Sequence, residues 1–348
     1  MMIPGFQKIY HEKTNLTGKF CFQPWENINI NNDGSVYSCY CQDWTSLRLG
    51  NILDNPIEEI YNTSENLKKI RDSVLHGKFA WCKVGHCSML DSLSDIPDNI
   101  DTYKKFTNFS LPTTIHLGID DNCNLKCASC RSGLIFKNKE NPTTEKILQS
   151  LCQSYRNFDK EVQIFCDGSG DLFTSKSWEK FIYGTEIPPC WKLVITTNGN
   201  LLSKRRKQLE SIKHNIYNVI ISLDAGSYDT YKRVRGGDWD IVIDGIEIIK
   251  ELDLQLNFQF VLQRENYLDL LNYKEIANKY NVRYGLQLLD KRQHMTSTYW
   301  NYNCIENNPD INYEILAEYL QILKQDKSCS FDGGIYELFK KLHPSHQE

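Results

Sequence analysis

The sequence predicts an α/β fold: a partial (β/α)6 TIM-like barrel preceded by a small α+β domain. The first observation behind this is a set of apolar runs of strand length at 113–119, 161–165, 192–196, 218–223, 257–262 and 282–289. Second, each run ends in a polar or glycine-rich turn and leads into a segment able to form a helix, as between 268 and 280. That alternation is the pattern of parallel βα units. The third is a change of pattern upstream, where Ile28 and Ile30 alternate before the turn Asn32-Asp33-Gly34, with Val36 beyond it. Asp-Gly between alternating strands marks a hairpin. Asn55-Pro56 then starts a helical region, with Leu67, Ile70 and Val74 at helical spacing. These changes divide the chain into an N-terminal domain with linker at 1–105, the barrel at 106–290 and an extension at 291–348 that closes it. The polar stretch 91–109 is the expected linker.

At 348 residues the chain suits one large domain plus a smaller one. Forty basic and forty-four acidic residues give a net charge of −4, which argues against a broad basic surface for nucleic acid. The short basic run Lys204-Arg205-Arg206-Lys207 reads as a solvated helix face. Residues 1–10 lack the apolar core of a signal peptide, and no apolar stretch approaches the ~18 residues that span a bilayer. A cytoplasmic protein without membrane partners is expected. In a reducing compartment, thirteen cysteines point to metal or redox chemistry rather than disulfides.

Three of them form the run Cys123-Asn-Leu-Lys-Cys127-Ala-Ser-Cys130, just after the first barrel strand. A 4Fe–4S cluster takes one thiolate per iron. Three cysteines on a tight loop therefore leave one iron open to a ligand that is not protein. Zinc also takes closely spaced thiolates. A second set precedes the barrel: Cys21, Cys39, Cys82 and Cys87, with Cys41 as an alternative to Cys39. The hairpin would bring Cys21 and Cys39 to neighbouring ends of a small sheet, and the helix would return Cys82 and Cys87 to them. Zinc and an iron–sulfur cluster both fit that set, with His86 a ligand in the first case or a hydrogen-bond donor to sulfur in the second.

The cysteine run and the segments behind it, over about 111–289, resemble the radical SAM enzymes. In that family the open iron chelates the amino and carboxylate groups of S-adenosylmethionine, and one electron releases a 5′-deoxyadenosyl radical. The resemblance implies a SAM-binding 4Fe–4S cluster on Cys123, Cys127 and Cys130. Gly168-Ser169-Gly170-Asp171 stands where the family has a Gly-Gly-Glu motif that binds the methionine amino group. Thr197-Asn198-Gly199 matches the third-strand turn, and Ser222 and Asp224 match the fourth-strand segment that contacts ribose or carboxylate. Arg235, in Arg233-Val-Arg235-Gly236-Gly237, matches a stretch whose arginine would clasp a carboxylate; a helix end stopped by glycine is the structural alternative. Two positions depart from the pattern: Ser129 replaces the usual aromatic residue, and Asp171 the usual glutamate. A carboxylate at Asp171 would equally serve as a turn cap.

The spacing Cys21-x12-Gly34-x4-Cys39 resembles the opening of a SPASM or twitch domain, which implies one auxiliary 4Fe–4S cluster on Cys21, Cys39, Cys82 and Cys87. The expected activity is hydrogen abstraction from a peptide or protein side chain, as in epimerisation or cross-linking, with flavodoxin or ferredoxin as electron donor. Cys304 is the candidate hydrogen-atom donor to a product radical, as in radical epimerases. About twenty residues precede Cys21, too few for a folded leader-binding module, which weighs against a peptide. A sugar or other small molecule is the alternative substrate. A non-catalytic iron–sulfur carrier or binding module is the alternative class.

Overall fold

The computed structural model describes residues 16–40, 45, 47–82, 87, 89–90, 93–104, 111–127, 129–130, 133–167, 169–289 and 303–344. Cys41, His86, Gly168 and the aromatic residues 299, 300 and 302 lie outside them. By packing, the chain divides into two units. One unit takes in the described residues up to Asp120 together with Glu140–Ser169 and Gly184–Leu193; the other takes in Asp121–Lys139, Gly170–Tyr183 and the chain from Val194.

In the first unit the strands are β1 (Lys19–Phe20), β2 (Asn27–Asn31), β3 (Ser35–Ser38), β4 (Arg48–Asn51), β5 (Ser94–Asp95), β6 (Thr114–Gly118) and β7 (Val162–Cys166). β1 pairs with β5. The others lie in the order β4-β3-β2-β6-β7. The expected hairpin forms, with β2 antiparallel to β3 and Gly34 at φ 79° in the turn. It is not a separate small sheet, however. β2 also runs parallel to β6, in register from Asn27 opposite Thr114 to Asn31 opposite Gly118. The reason lies in burial: Ile28 and Ile30 are fully buried, and Asn27 and Asn29 on the opposite face are buried as well. A strand covered on both faces belongs inside a sheet rather than in an isolated hairpin.

Helices Ile57–Thr63 and Glu65–Leu75 come after β4, the second capped by Ser64, whose hydroxyl accepts from the Leu67 amide. Their Arg71 is buried over the rings of Trp25 and Tyr61, and its Nε donates to the Pro24 carbonyl at 3.0 Å. This anchors the Cys21–Trp25 turn to the helix. Helix Pro142–Tyr155, capped by Asn141, joins β6 to β7.

The chain passes into the second unit within β8 (Trp191–Thr197). Beyond it come β9 (Ile216–Ser222), β10 (Leu256–Leu262), β11 (Arg283–Leu288) and β12 (Cys329–Phe331). Their order is β8-β9-β10-β11-β12, with parallel pairing from β9 to β12. The six predicted barrel strands thus correspond to β6–β11, and β12, from the C-terminal extension, is a further parallel strand beside β11. In β10, Leu256, Phe258, Phe260 and Leu262 are buried while the residues between them are only half-buried. Helix Leu270–Tyr280 matches the helix predicted between β10 and β11. Gly226, in the loop after β9, is required by close approach. A Cβ there would lie 2.1 Å from the backbone nitrogen of Tyr273. The basic run at 204–207 is only partly a solvated face, because Arg205 is drawn in to donate to the Phe173 carbonyl at 3.2 Å and to pair with Glu179. No helix among the described residues is long and apolar enough to cross a membrane.

Candidate functional site

The second unit holds the loop that leaves β6. Cys123, Leu125 and Cys127 pack together and are buried, whereas Cys130 is exposed. The loop is pinned at both ends. The Cys123 amide donates to the Ile135 carbonyl at 2.8 Å, and the Asn122 side chain accepts from the Lys137 amide at 2.6 Å. A tight turn, Cys130 amide to Cys127 carbonyl at 3.0 Å, brings the third thiol back toward the first two. Burial pushes the Cys127 thiol above its ordinary value, and Cys130 and Cys123 add to the rise while Arg235 opposes it.

Asp171, 4% exposed, stands beside this loop through a backbone bond to Asn122: its own amide donates to the Asn122 carbonyl at 2.7 Å. Its carboxylate is fully engaged within the protein. Oδ1 accepts from the Phe173 amide at 3.1 Å, capping the turn Leu172–Thr174. Oδ2 accepts from the Thr197 hydroxyl and the Asn198 amide, both at 2.8 Å. Burial raises its pKa, and these three donors work against that rise. The capping alternative for Asp171 is therefore what the geometry displays. Asn198 continues the chain of contacts, its side-chain amide donating to Asn124 at 2.8 Å and lying 3.7 Å from the Cys123 sulfur.

After β9, Asp224 takes a left-handed backbone conformation at φ 56°, a position that few residues other than glycine adopt. Asn266 helps to hold it, its Nδ2 donating to the Asp224 carbonyl at 3.0 Å, and Asp224 Oδ1 accepts from the Val261 amide at 2.7 Å. Its Oδ2 pairs with Arg235 Nη1 at 2.9 Å, with side-chain exposures of 2% and 13%. Helix Tyr228–Arg235 does end on a left-handed Gly236, as the structural alternative for this stretch required. Arg235 is nonetheless turned inward. Burial disfavours its charge, but Cys127, Asp224 and Tyr231 outweigh burial and hold the guanidinium protonated. Its Nε is buried and makes no hydrogen bond.

Ser169 lies in the first unit, where its hydroxyl donates to the Asp120 carbonyl at 2.8 Å. Gly170 is half-buried, as is Ser222 at the end of β9. Cys304 is buried, with its sulfur 3.8 Å from the Leu289 carbonyl.

The first unit brings the other four cysteines together. Cys21, Cys82 and Cys87 pack against a core of Phe20, Trp25, Val74, Phe79 and Leu90. Cys39, at φ 67°, is buried, and Thr45 bridges to Cys82. Burial pushes the Cys21 thiol up to about 11, with repulsion from Cys87 adding to it. Burial also lifts Cys82, helped by Cys87 and Cys21, and Cys39, helped by Cys82, Cys21 and Cys87. Every pair of the four is thus close enough to repel when ionised. Among the described residues no three His, Cys, Asp or Glu side chains are grouped as for a single metal ion.

Sequence reasoning missed a trio in the first unit. His116 on β6 is 2% exposed, stacked on Phe165 with ring centroids 4.5 Å apart. Its Nδ1 lies 3.5 Å from Asp167, which also accepts from the Tyr40 hydroxyl at 3.2 Å. The only local signal was a histidine inside an apolar strand run, which more often marks a satisfied core residue. Its partners come from the residue just after β7 and from the loop after β3.

Two family profiles match the chain. Residues 21–88 match SPASM, an iron–sulfur cluster-binding domain, and residues 119–275 match the Radical SAM superfamily. The two together take in more than half of the sequence. Residues 119–275 are thus a radical SAM domain, with a SPASM domain on its N-terminal side in the sequence. These domains imply iron–sulfur clusters and bound S-adenosylmethionine. A protein named GTPase Obg from Brachyspira hyodysenteriae is 29% identical over 180 residues, which cover 46% of this chain and 24% of that one. A GTP 3′,8-cyclase from Lactiplantibacillus plantarum is 27% identical over 182 residues, covering 50% and 52%. The chain spans between a quarter and about half of the length of the first curated relatives it matches. Among solved structures, Streptococcus suis SuiB bound to the precursor peptide SuiA is similar at TM-score 0.48 and 15% identity, over 90% of this chain and 73% of that one.

Proposed function

We propose that the protein uses S-adenosylmethionine, held beside a cluster on Cys123, Cys127 and Cys130, to abstract hydrogen from a peptide or protein side chain. The observation that carries the cofactor part is the buried Arg235 guanidinium. It acts on the Cys127 thiol, is anchored by Asp224, and keeps an Nε without a hydrogen bond. A buried, unused guanidinium donor is costly unless an anion completes it, so the residues present fit the group. When bound, the cluster and S-adenosylmethionine supply a 5′-deoxyadenosyl radical. The residues bind and orient. Cys123, Cys127 and Cys130 would be the thiolate ligands, Arg235 would receive the carboxylate of S-adenosylmethionine, Asp224 fixes Arg235, and Ser222 would offer a polar contact. Asp171, with its carboxylate already engaged, acts through Asn198. Cys304 would serve only an epimerisation, and its buried thiol is not required otherwise.

In the first unit, Cys21, Cys39, Cys82 and Cys87 hold one auxiliary 4Fe–4S cluster, and a flavodoxin or ferredoxin delivers the electron. Zinc at this set is the competing assignment. Two clusters correspond to about eight irons per chain. Cys82→Ala is expected to lower the iron content of the anaerobically reconstituted protein to about half, with zinc absent from both forms. Unchanged iron together with stoichiometric zinc in the wild type would give the set to zinc.

The peptide substrate is in keeping with the SPASM module, whose carriers resembling this chain mostly modify peptides or protein side chains. A nucleotide or other small molecule is the second reading, favoured by the identity to GTP 3′,8-cyclases. The deciding experiment tracks 5′-deoxyadenosine by mass spectrometry after reduction with dithionite in the presence of S-adenosylmethionine. The reaction is run alone, with short peptides encoded beside the gene, and with GTP. Faster release with a peptide, and a mass change on it, supports the proposal. Acceleration by GTP alone moves the assignment to the small molecule. A fully loaded protein that makes none leaves the non-catalytic carrier.

A further inference from the structure

We infer that Asn198 donates a hydrogen bond to the sulfur of Cys123 and so raises the reduction potential of the cluster on that loop, with Asp171 as the residue that positions it. The inference rests on the cluster assignment of the proposed function and goes beyond it.

Three features carry it. First, the orientation of the Asn198 amide is fixed by its partners. Its Oδ1 accepts from the Asn200 backbone amide at 2.9 Å, and its Nδ2 donates to Asn124 Oδ1 at 2.8 Å. Oxygen and nitrogen cannot trade places without losing both bonds, so the second Nδ2 hydrogen is the one that faces Cys123 Sγ, 3.7 Å away. Second, Asn198 is 4% and Cys123 8% exposed, so water hardly competes for the sulfur and the local dielectric is low. Third, the backbone of Asn198 is held by Asp171 Oδ2 at 2.8 Å, the same oxygen that accepts from the Thr197 hydroxyl. Asp171 itself is tied to the cysteine loop through the Asn122 carbonyl at 2.7 Å. The two loops are therefore locked at the distance that the N–H to sulfur contact needs. A donor to a ligand sulfur favours the more negative, reduced cluster, because it draws charge off the thiolate.

The test reads potential, which a purely structural tie between the loops would leave alone. Wild type, Asn198→Ala, Asn198→Asp and Cys130→Ala are reconstituted anaerobically. Each is assayed for iron and titrated potentiometrically, using the EPR signal that added S-adenosylmethionine perturbs. Asn198→Asp has the shape of asparagine and keeps the acceptor for Asn200, but loses the donor and adds negative charge. Both Asn198 variants are expected to hold wild-type iron with a more negative midpoint, Asp further than Ala. An unchanged midpoint at full iron overturns the inference. So does loss of iron from both variants, which makes Asn198 a structural tie. If Cys130→Ala keeps the S-adenosylmethionine-sensitive signal, the cluster assignment itself has failed, and that result is distinct from either outcome at Asn198.

Discussion

Cys130→Ala is expected to abolish 5′-deoxyadenosine formation, a loss of more than about 100-fold, while leaving the fold intact. Replacing groups that merely support a metal ligand costs roughly 10- to 100-fold, and a ligand itself should cost more. Cys130 is well suited to separate chemistry from folding. Its thiol is exposed, and the turn that places it is made by its backbone amide donating to the Cys127 carbonyl at 3.0 Å, a bond that alanine keeps. The same substitution at Cys123 or Cys127 would open space in a buried cluster with Leu125 and confuse the two effects. The measurement pairs nucleoside yield with a thermal melt of the apo protein. Unchanged melting with no nucleoside is the expected result. Wild-type yield from the variant would mean that another group closes the cluster and would sink the assignment of the loop.

Much of this was legible in the sequence because it is local. Thiols at Cys123, Cys127 and Cys130 lie within one loop, and the strands behind them announce themselves by apolar runs ending in turns. The four N-terminal cysteines were also within reach, since the hairpin turn at Asp33-Gly34 and the helix before Cys82 are short-range signals. What stayed hidden depends on partners distant in the chain. That Asp171 would spend its carboxylate on Thr197 and Asn198, 26 and 27 residues away, is decided by which loops meet after folding. The parallel pairing of β2 with β6 joins residues far apart, and the alternation of Ile28 and Ile30 fits either an edge or an interior strand. His116 carries no motif at all. Arg235 was the balanced case, because a glycine after it signals a helix end whether the arginine faces water or the core.

That case yields the second large effect. Arg235→Leu is expected to destabilise the apo protein by about 3–5 kcal/mol, the usual cost of removing one partner of a buried ion pair. The stranded group is Asp224, 2% exposed, with one oxygen left to the Val261 amide. A surface helix end would lose less than about 1 kcal/mol on the same change. The pH dependence gives an independent check. Burial already holds the Asp224 pKa above its ordinary value, and Arg235 is the leading influence pulling it down. Without the arginine that pKa rises further. The native variant then binds more protons than its unfolded chain at pH values above the ordinary carboxylate value, so its stability falls as pH rises through that window. Denaturant unfolding of wild type and variant should therefore diverge more at pH 8 than at pH 5. Adding Asp224→Asn to Arg235→Leu removes the stranded charge and should recover part of the loss at pH 8, though not cofactor binding. Arg235→Lys keeps a cation but not the planar fork that can hold Asp224 and a carboxylate together, so it should regain stability ahead of nucleoside formation. A small loss that is the same at both pH values would return Arg235 to the role of a helix end.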